Sequence, residues 1–158
     1  SHRKETVLST AFVRPALPED AEIIVRFNID MAKESEGLEL SPAVVLRGVE
    51  ISLHDPNRGE YFLAEGDQGV VGQIRVTREW SDWNNSFYWW IQNVYVDPTS
   101  RRRGVYAALH NHVRELARNE GACGLLLYVD RGNAPAQEVY RKLGMNQSHY
   151  LIFEQEKI

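Results

Sequence analysis

The stretch Val94-Tyr95-Val96-Asp97-Pro98-Thr99-Ser100-Arg101-Arg102-Arg103-Gly104-Val105-Tyr106-Ala107-Ala108-Leu109 reads as a strand that stops at a proline and re-emerges as a helix. Val94 and Val96 are β-branched and favour the extended chain. Val105, Ala108, Leu109, His112, Val113, Leu116 and Ala117 then recur at one-face helical spacing, and Gly121 supplies the stop. The turn between strand and helix has the makings of an anion site. Amides in the first turn of a helix have no intrahelical partner and lie at the positive end of the macrodipole. Arg101, Arg102 and Arg103 add charge and forked donors, and Gly104 lets a ligand approach the main chain closely. The plain alternative is a basic loop that binds nothing.

Upstream, 11–14 reads as a strand, and Pro18-Glu19-Asp20 as the acidic start of an amphipathic helix running to about Lys33. Residues 34–40 form a loop, and Ser41-Pro42 caps a second helix that His54-Asp55-Pro56 breaks. Strands at 61–65 and 70–78 join through Gly66-Asp67-Gln68-Gly69, and 80–86 is the next loop. Phe87 to Val96 is a long strand; a buried-looking strand at 124–129, a helix at about 134–143 and a last strand at 150–156 follow the central helix. This order is mixed α/β (α+β) with a largely antiparallel start and about four helices.

Two segments carry a family resemblance. Arg101-x-x-Gly104-x-Tyr106 resembles the Arg/Gln-x-x-Gly-x-Gly/Ala segment of GNAT-type N-acetyltransferases, which cradles the pyrophosphate of acetyl-CoA; Tyr106 stands where the family has a small residue. Asn133-Ala134-Pro135-Ala136-Gln137-Glu138-Val139-Tyr140-Arg141-Lys142-Leu143-Gly144-Met145 resembles the family's later Asn, Ala and Tyr motif ending in Leu-Gly-Met. The likeness is close from Phe62 to about Phe153 and loose before it. It implies a mostly antiparallel sheet whose middle strands splay apart. The pantetheine arm then bonds to the main chain of Val94 and Val96 as a substitute strand, which would satisfy edge groups whose unpaired burial is costly. Arg101, Arg102, Arg103, Gly104, Val105 and Tyr106 are the corresponding diphosphate residues. Asn133 orders the coenzyme or caps the following helix.

The implied reaction is direct acetyl transfer from acetyl-CoA to a primary amine within a ternary complex. It needs a neutral nucleophile, a polarised carbonyl and a proton for the departing thiolate. By its place in the motif, Tyr140 is the proton donor; a tyrosine packing its ring beneath the sheet is the structural alternative. No base stands out: where some relatives carry a strand glutamate, this chain has Trp89, Trp90, Gln92 and Asn93, and Gln92 or Asn93 could hold a water. Glu34 and Glu36 lie in the loop that borders the acceptor pocket in relatives, where carboxylates would attract a cationic amine, although solvated surface charge is the commoner use.

Composition narrows the class. At 158 residues with 43% hydrophobic content the chain suffices for one domain, able to bury about 70% of its unfolded surface. Residues 1–8 are expected to be a flexible or cloning-derived lead. A net charge of −4 argues against a general nucleic-acid binder, and no run of about 18 apolar residues suggests a membrane span. The single cysteine, Cys123, rules out an internal disulfide, is expected to be buried in a strand, and fits a reducing, cytoplasmic setting. His110 and His112 fall on different helix faces and make no metal set with His149, so no metal is expected. The aromatic cluster from Trp80 to Trp90 serves the core or a homodimer interface before it serves an acceptor pocket. Two other classes remain open: a non-catalytic acyl-CoA-binding or regulatory module, and a nucleic-acid domain using Arg101 to Arg103. A small-molecule or peptide amine is the partner the main reading requires.

Overall fold

A computed structural model describes residues 11–158; the lead expected at 1–8 lies outside them. The described chain divides into two compact units, one ending at Tyr128 and one beginning at Val129. The first holds five strands, β1 (Phe12–Pro15), β2 (Glu60–Gly66), β3 (Gly69–Ser81), β4 (Ser86–Val96) and β5 (Gly124–Leu127), in the order β1-β2-β3-β4-β5. Neighbours are antiparallel except β4 and β5, which run parallel. Helices α1 (Ala21–Glu36), α2 (Pro42–His54) and α3 (Val105–Asn119) complete it. The second unit holds α4 (Ala134–Lys142). The expected mixed, mostly antiparallel sheet with four helices is the observed one.

Strand periodicity sorts side chains into two cores. Phe62, Ala64, Ile74, Val76, Trp89 and Ile91 pack with Val105, Leu109, Val113 and Ala117 of α3. Tyr61 and Leu63, pointing the other way from β2, pack with Ile24 of α1 and Val49 of α2. Gly72 lets α3 sit close to β3, because a Cβ there would come within 3.0 Å of Val105 Cγ1 and 3.3 Å of the Tyr95 carbonyl. That approach holds the helix entry against the sheet.

Element ends follow local chemistry. Ser41 Oγ accepts from the Val44 N–H at the start of α2. Gly37, with φ 66°, closes α1, with Leu38 N–H bonded to Ala32 O. Glu34 and Glu36 therefore sit in the last turn of α1 and not in a loop, because the helix continues until a glycine permits the left-handed turn.

Two further expectations fail. Residues 150–156 form no strand; Leu151, Ile152 and Phe153 are exposed, and an extended run without a hydrogen-bonding neighbour has nothing to stabilise it. Cys123 is exposed just ahead of β5. Of the aromatic cluster read as core or homodimer interface, Trp89 is core, and Trp80, Trp83 and Phe87 are exposed around the β3–β4 hairpin.

Candidate active site

The site is built where β4 loses its neighbour. Pairing of β4 with β5 ends at Ile91 and Leu127, while β4 runs on through Gln92, Asn93, Val94, Tyr95 and Val96. The register with β3 slips between Gln73 and Arg75, and Asn93 takes φ 50°, so this is a bulge at the point of separation. Val94 and Val96, the residues expected to meet the pantetheine arm, lie on this open edge. The edge offers main-chain groups that an amide-bearing ligand can pair.

Beyond Val96 the chain turns. Asp97 Oδ1 accepts from the Thr99 N–H (3.1 Å) and hydroxyl (2.8 Å), and 98–100 make a short 3-10 turn. Arg102 has φ 63°, and Gly104, the N-cap of α3, has φ 79° and places no side-chain cap on the helix. The first intrahelical bond runs from Ala108 N–H to Gly104 O, leaving the preceding amides outside the ladder. Arg102 and Arg103 are exposed here and form no ion pair among the described residues. Val105 points its side chain into the core, so only its main chain faces the turn. The Tyr106 ring leans on that core and its hydroxyl meets His110 Nδ1 at 3.0 Å, one turn along the helix.

Arg101 does something else. Its Nε donates to the Val96 carbonyl (2.9 Å), while Nη1 and Nη2 grip both oxygens of Glu34 (2.6 and 2.8 Å). The guanidinium also lies over the Tyr95 ring, 5.2 Å from its centroid. The Arg101 fork holds the Glu34 carboxyl below the usual carboxylate range. One predicted coenzyme residue and one predicted acceptor residue thus bind each other and brace the turn to α1.

Beside the bulge, between α1, α2 and the sheet, is a cavity of about 550 Å³. Asn93 lines it, with Asn28, Tyr61, Glu36, Arg58 and Arg75. The Tyr61 hydroxyl accepts from Asn28 Nδ2 and Asn93 Nδ2, both at 3.0 Å, which leaves its own hydrogen to donate. Gln73, fully buried, donates from Nε2 to Asn28 Oδ1 (2.7 Å) and to the Asn93 carbonyl (3.0 Å). Its Oε1 has no partner. Gln92 does not present its amide oxygen to a ligand, because that atom accepts from Arg75 Nη1. Asn28, Tyr61, Gln73 and Arg75 escape sequence reasoning, which sees polar residues scattered over three elements; the only signal is that polar Gln73 and Arg75 alternate with apolar Ile74 and Val76 on a central strand.

In the second unit, Asn133 Oδ1 accepts from Ala136 N–H (3.2 Å) and caps α4. Met145 N–H bonds to the Tyr140 carbonyl and closes the helix. Burial pushes the Tyr140 hydroxyl up from its ordinary value, so the phenol stays protonated across neutral pH. Among the described residues no three His, Cys, Asp or Glu side chains are grouped to hold a metal, and no helix is long and apolar enough to cross a membrane.

The chain resembles characterised proteins over most of its length. A streptothricin acetyltransferase from Escherichia coli is 27% identical over 135 residues, covering 84% of this chain and 75% of that protein. Its Streptomyces lavendulae counterpart is 34% identical over 83 residues, 52% of this chain and 42% of that protein. A crystal structure of a possible acetyltransferase from Clostridium difficile 630 superposes with a TM-score of 0.88 at 38% identity, over 94% of this chain and 99% of that one. Residues 27–145 match the acetyltransferase (GNAT) family, so the likeness begins in α1, well before Phe62. With that match spanning the bulged β4, the glycine-capped turn and the Tyr140 segment, the chain belongs to the GNAT family and is an N-acetyltransferase.

Proposed function

We propose that the chain acts as one acetyltransferase domain, moving the acetyl group of acetyl-CoA directly to a primary amine held in the cavity beside Asn93. The observation that carries this reading is the open β4 edge leading without interruption into the Gly104 turn. The edge suits the amides of a pantetheine arm, and the turn suits a diphosphate. Main-chain amides from Gly104 onward, with Arg102 and Arg103, supply the anion site. Tyr106 contributes its backbone. Arg101 positions the turn through Glu34 and Val96. Asn133 acts through its cap.

In the transfer, the amine nitrogen forms a bond to the thioester carbon as the carbon–sulfur bond breaks. The sulfur takes a proton from the Tyr140 hydroxyl, and the ammonium proton leaves to water. A phenol raised by burial is fitted to hold that proton until the thiolate forms. Tyr61, fixed by two amide donors, has a hydrogen to orient a water or the acetyl oxygen, and Asn93 sets Tyr61 in place.

Calorimetry with acetyl-CoA and a thiol-release assay over an amine panel that includes streptothricin test the proposal. Binding in the micromolar range and amine-dependent release are expected. Tyr140→Phe should lower kcat by about 10- to 100-fold with little change in coenzyme affinity. No measurable affinity for acetyl-CoA by folded protein would overturn it.

A further inference from the structure

The cavity beside Asn93 contains a guanidinium set up for a carboxylate. Arg75 lies on β3 directly across from Gln92 and lines the cavity. It makes no ion pair with any described residue, whereas the other cavity arginine, Arg58, is matched by Asp55 at 3.0 Å. Both contacts that fix Arg75 are neutral: Nη1 donates to Gln92 Oε1, and Nη2 donates to the Arg58 carbonyl at 2.5 Å.

That carbonyl is itself held. The buried Ser52 hydroxyl, from α2, bridges to the Arg58 and Gly59 oxygens at 3.4 and 3.2 Å. Gly59 has φ 119°, and a Cβ there would stand 2.7 Å from Arg75 Nε, so the guanidinium rests against bare backbone. Two of its five N–H donors are spent on orientation and three remain. A half-buried cation held by neutral acceptors has paid its desolvation without a counter-charge, and a planar fork in fixed orientation matches a carboxylate. Glu36, at the end of α1, brings the opposite charge to the same cavity.

We infer that the acceptor is an amine that also carries a carboxylate, an amino acid or its close analogue, with Arg75 reading the carboxylate. This rests on the cavity being the acceptor pocket, as proposed above. It also turns the expected electrostatics around: Glu34, the carboxylate anticipated for a cationic acceptor, is consumed by Arg101, and the unmatched side chain on the β3 wall is positive.

Matched pairs of amino acids and their primary amides, tested with acetyl-CoA by thiol release, decide the matter. Amidation keeps size and shape while removing the charge, and it also lowers the amine pKa, so intrinsic reactivity favours the amides. The inference predicts that the free acids win by at least about 10-fold in kcat/KM. In Arg75→Gln that ratio falls towards one, and Arg75→Lys, which keeps charge but not the fork, lies between. Acetyl-CoA affinity measured by calorimetry on each variant establishes that the fold is intact. Transfer to amides equal to or better than transfer to acids would overturn the inference and leave acetyl transfer standing, as would coenzyme binding with no transfer to any of the acids. Failure to bind acetyl-CoA would instead overturn the reading on which the inference rests.

Discussion

The clasp between Arg101 and Glu34 separates two roles for the first arginine of the turn. If it is a brace, Arg101→Met should cost stability and leave the diphosphate site nearly intact. The side chains are 38% and 48% exposed, so water screens the pair and its coupling is about 0.5–1 kcal/mol. Losing the bond to the Val96 carbonyl adds about 0.5–1 kcal/mol. The sum, about 1–2 kcal/mol, lowers the Tm of a chain this size by roughly 2–8 °C. A double-mutant cycle of Arg101→Met with Glu34→Gln, followed by urea denaturation, should return the pair term alone. Because the folded-state pKa of Glu34 is depressed, this term is present above the unfolded carboxylate value near 4.3 and is lost as the pH falls through the folded one. Calorimetry with acetyl-CoA supplies the other half. Glu34→Gln should change Kd by less than about 3-fold, while Arg102→Ala and Arg103→Ala each weaken binding by about 3- to 10-fold with a reduced salt dependence. Should Glu34→Gln tighten coenzyme binding and Arg101→Met abolish it at unchanged Tm, the guanidinium would be leaving Glu34 to take the phosphate, and the brace reasoning would be refuted.

Other consequences follow from burial. His110 is 1% exposed and burial pushes its pKa down, so the folded state favours neutral imidazole; stability is full above the unfolded value near 6.5 and declines as the pH falls below it, by at most about 1.4 kcal/mol per pH unit. Thermal melts from pH 7.5 to 5 should show that decline, and His110→Gln should flatten it. Gly72→Ala puts a methyl 3.0 Å from Val105 Cγ1 and should destabilise by about 1–3 kcal/mol while weakening acetyl-CoA binding, because the displaced element is the helix entry itself; unchanged calorimetric affinity would sever the link between this contact and the site. Asn28→Ala removes a buried acceptor from Gln73 and a donor from Tyr61, at a cost of about 1–3 kcal/mol measurable by urea denaturation.

Most of the fold was legible because it is written in local periodicity and punctuation. Ser41-Pro42 before an apolar stripe, glycines at 66 and 69 between β-branched runs, and Gly121 after α3 each act within a few residues, and each did what it promised. The misreadings share the opposite character. The 150–156 run has every strand propensity, but a strand needs an edge to bond to, and no local rule supplies one. Cys123 is expected inside as part of a buried strand, yet it stands one residue before β5 begins and is exposed.

The site divides along the same line, between what one segment carries and what distant segments bring together. The Gly104 turn, proposed above as the diphosphate site, is a continuous segment that would bind through its backbone, so its sequence nearly is its structure. The cavity proposed for the acceptor is assembled from side chains on α1, α2, β2, β3 and β4, and what matters there is which charges are already paired. Glu34 and Arg101 are 67 positions apart, and Arg75 and Gln92 are 17 apart on neighbouring strands. Sequence displays a glutamate near a pocket and three arginines on a turn, and assigns each to the ligand of opposite sign. Folding lets one glutamate and one arginine cancel. It leaves Arg75, which belongs to no motif, half-buried in the cavity with no ion pair among the described residues, and the inference drawn above follows from that remaining charge of the pocket and not from its inventory.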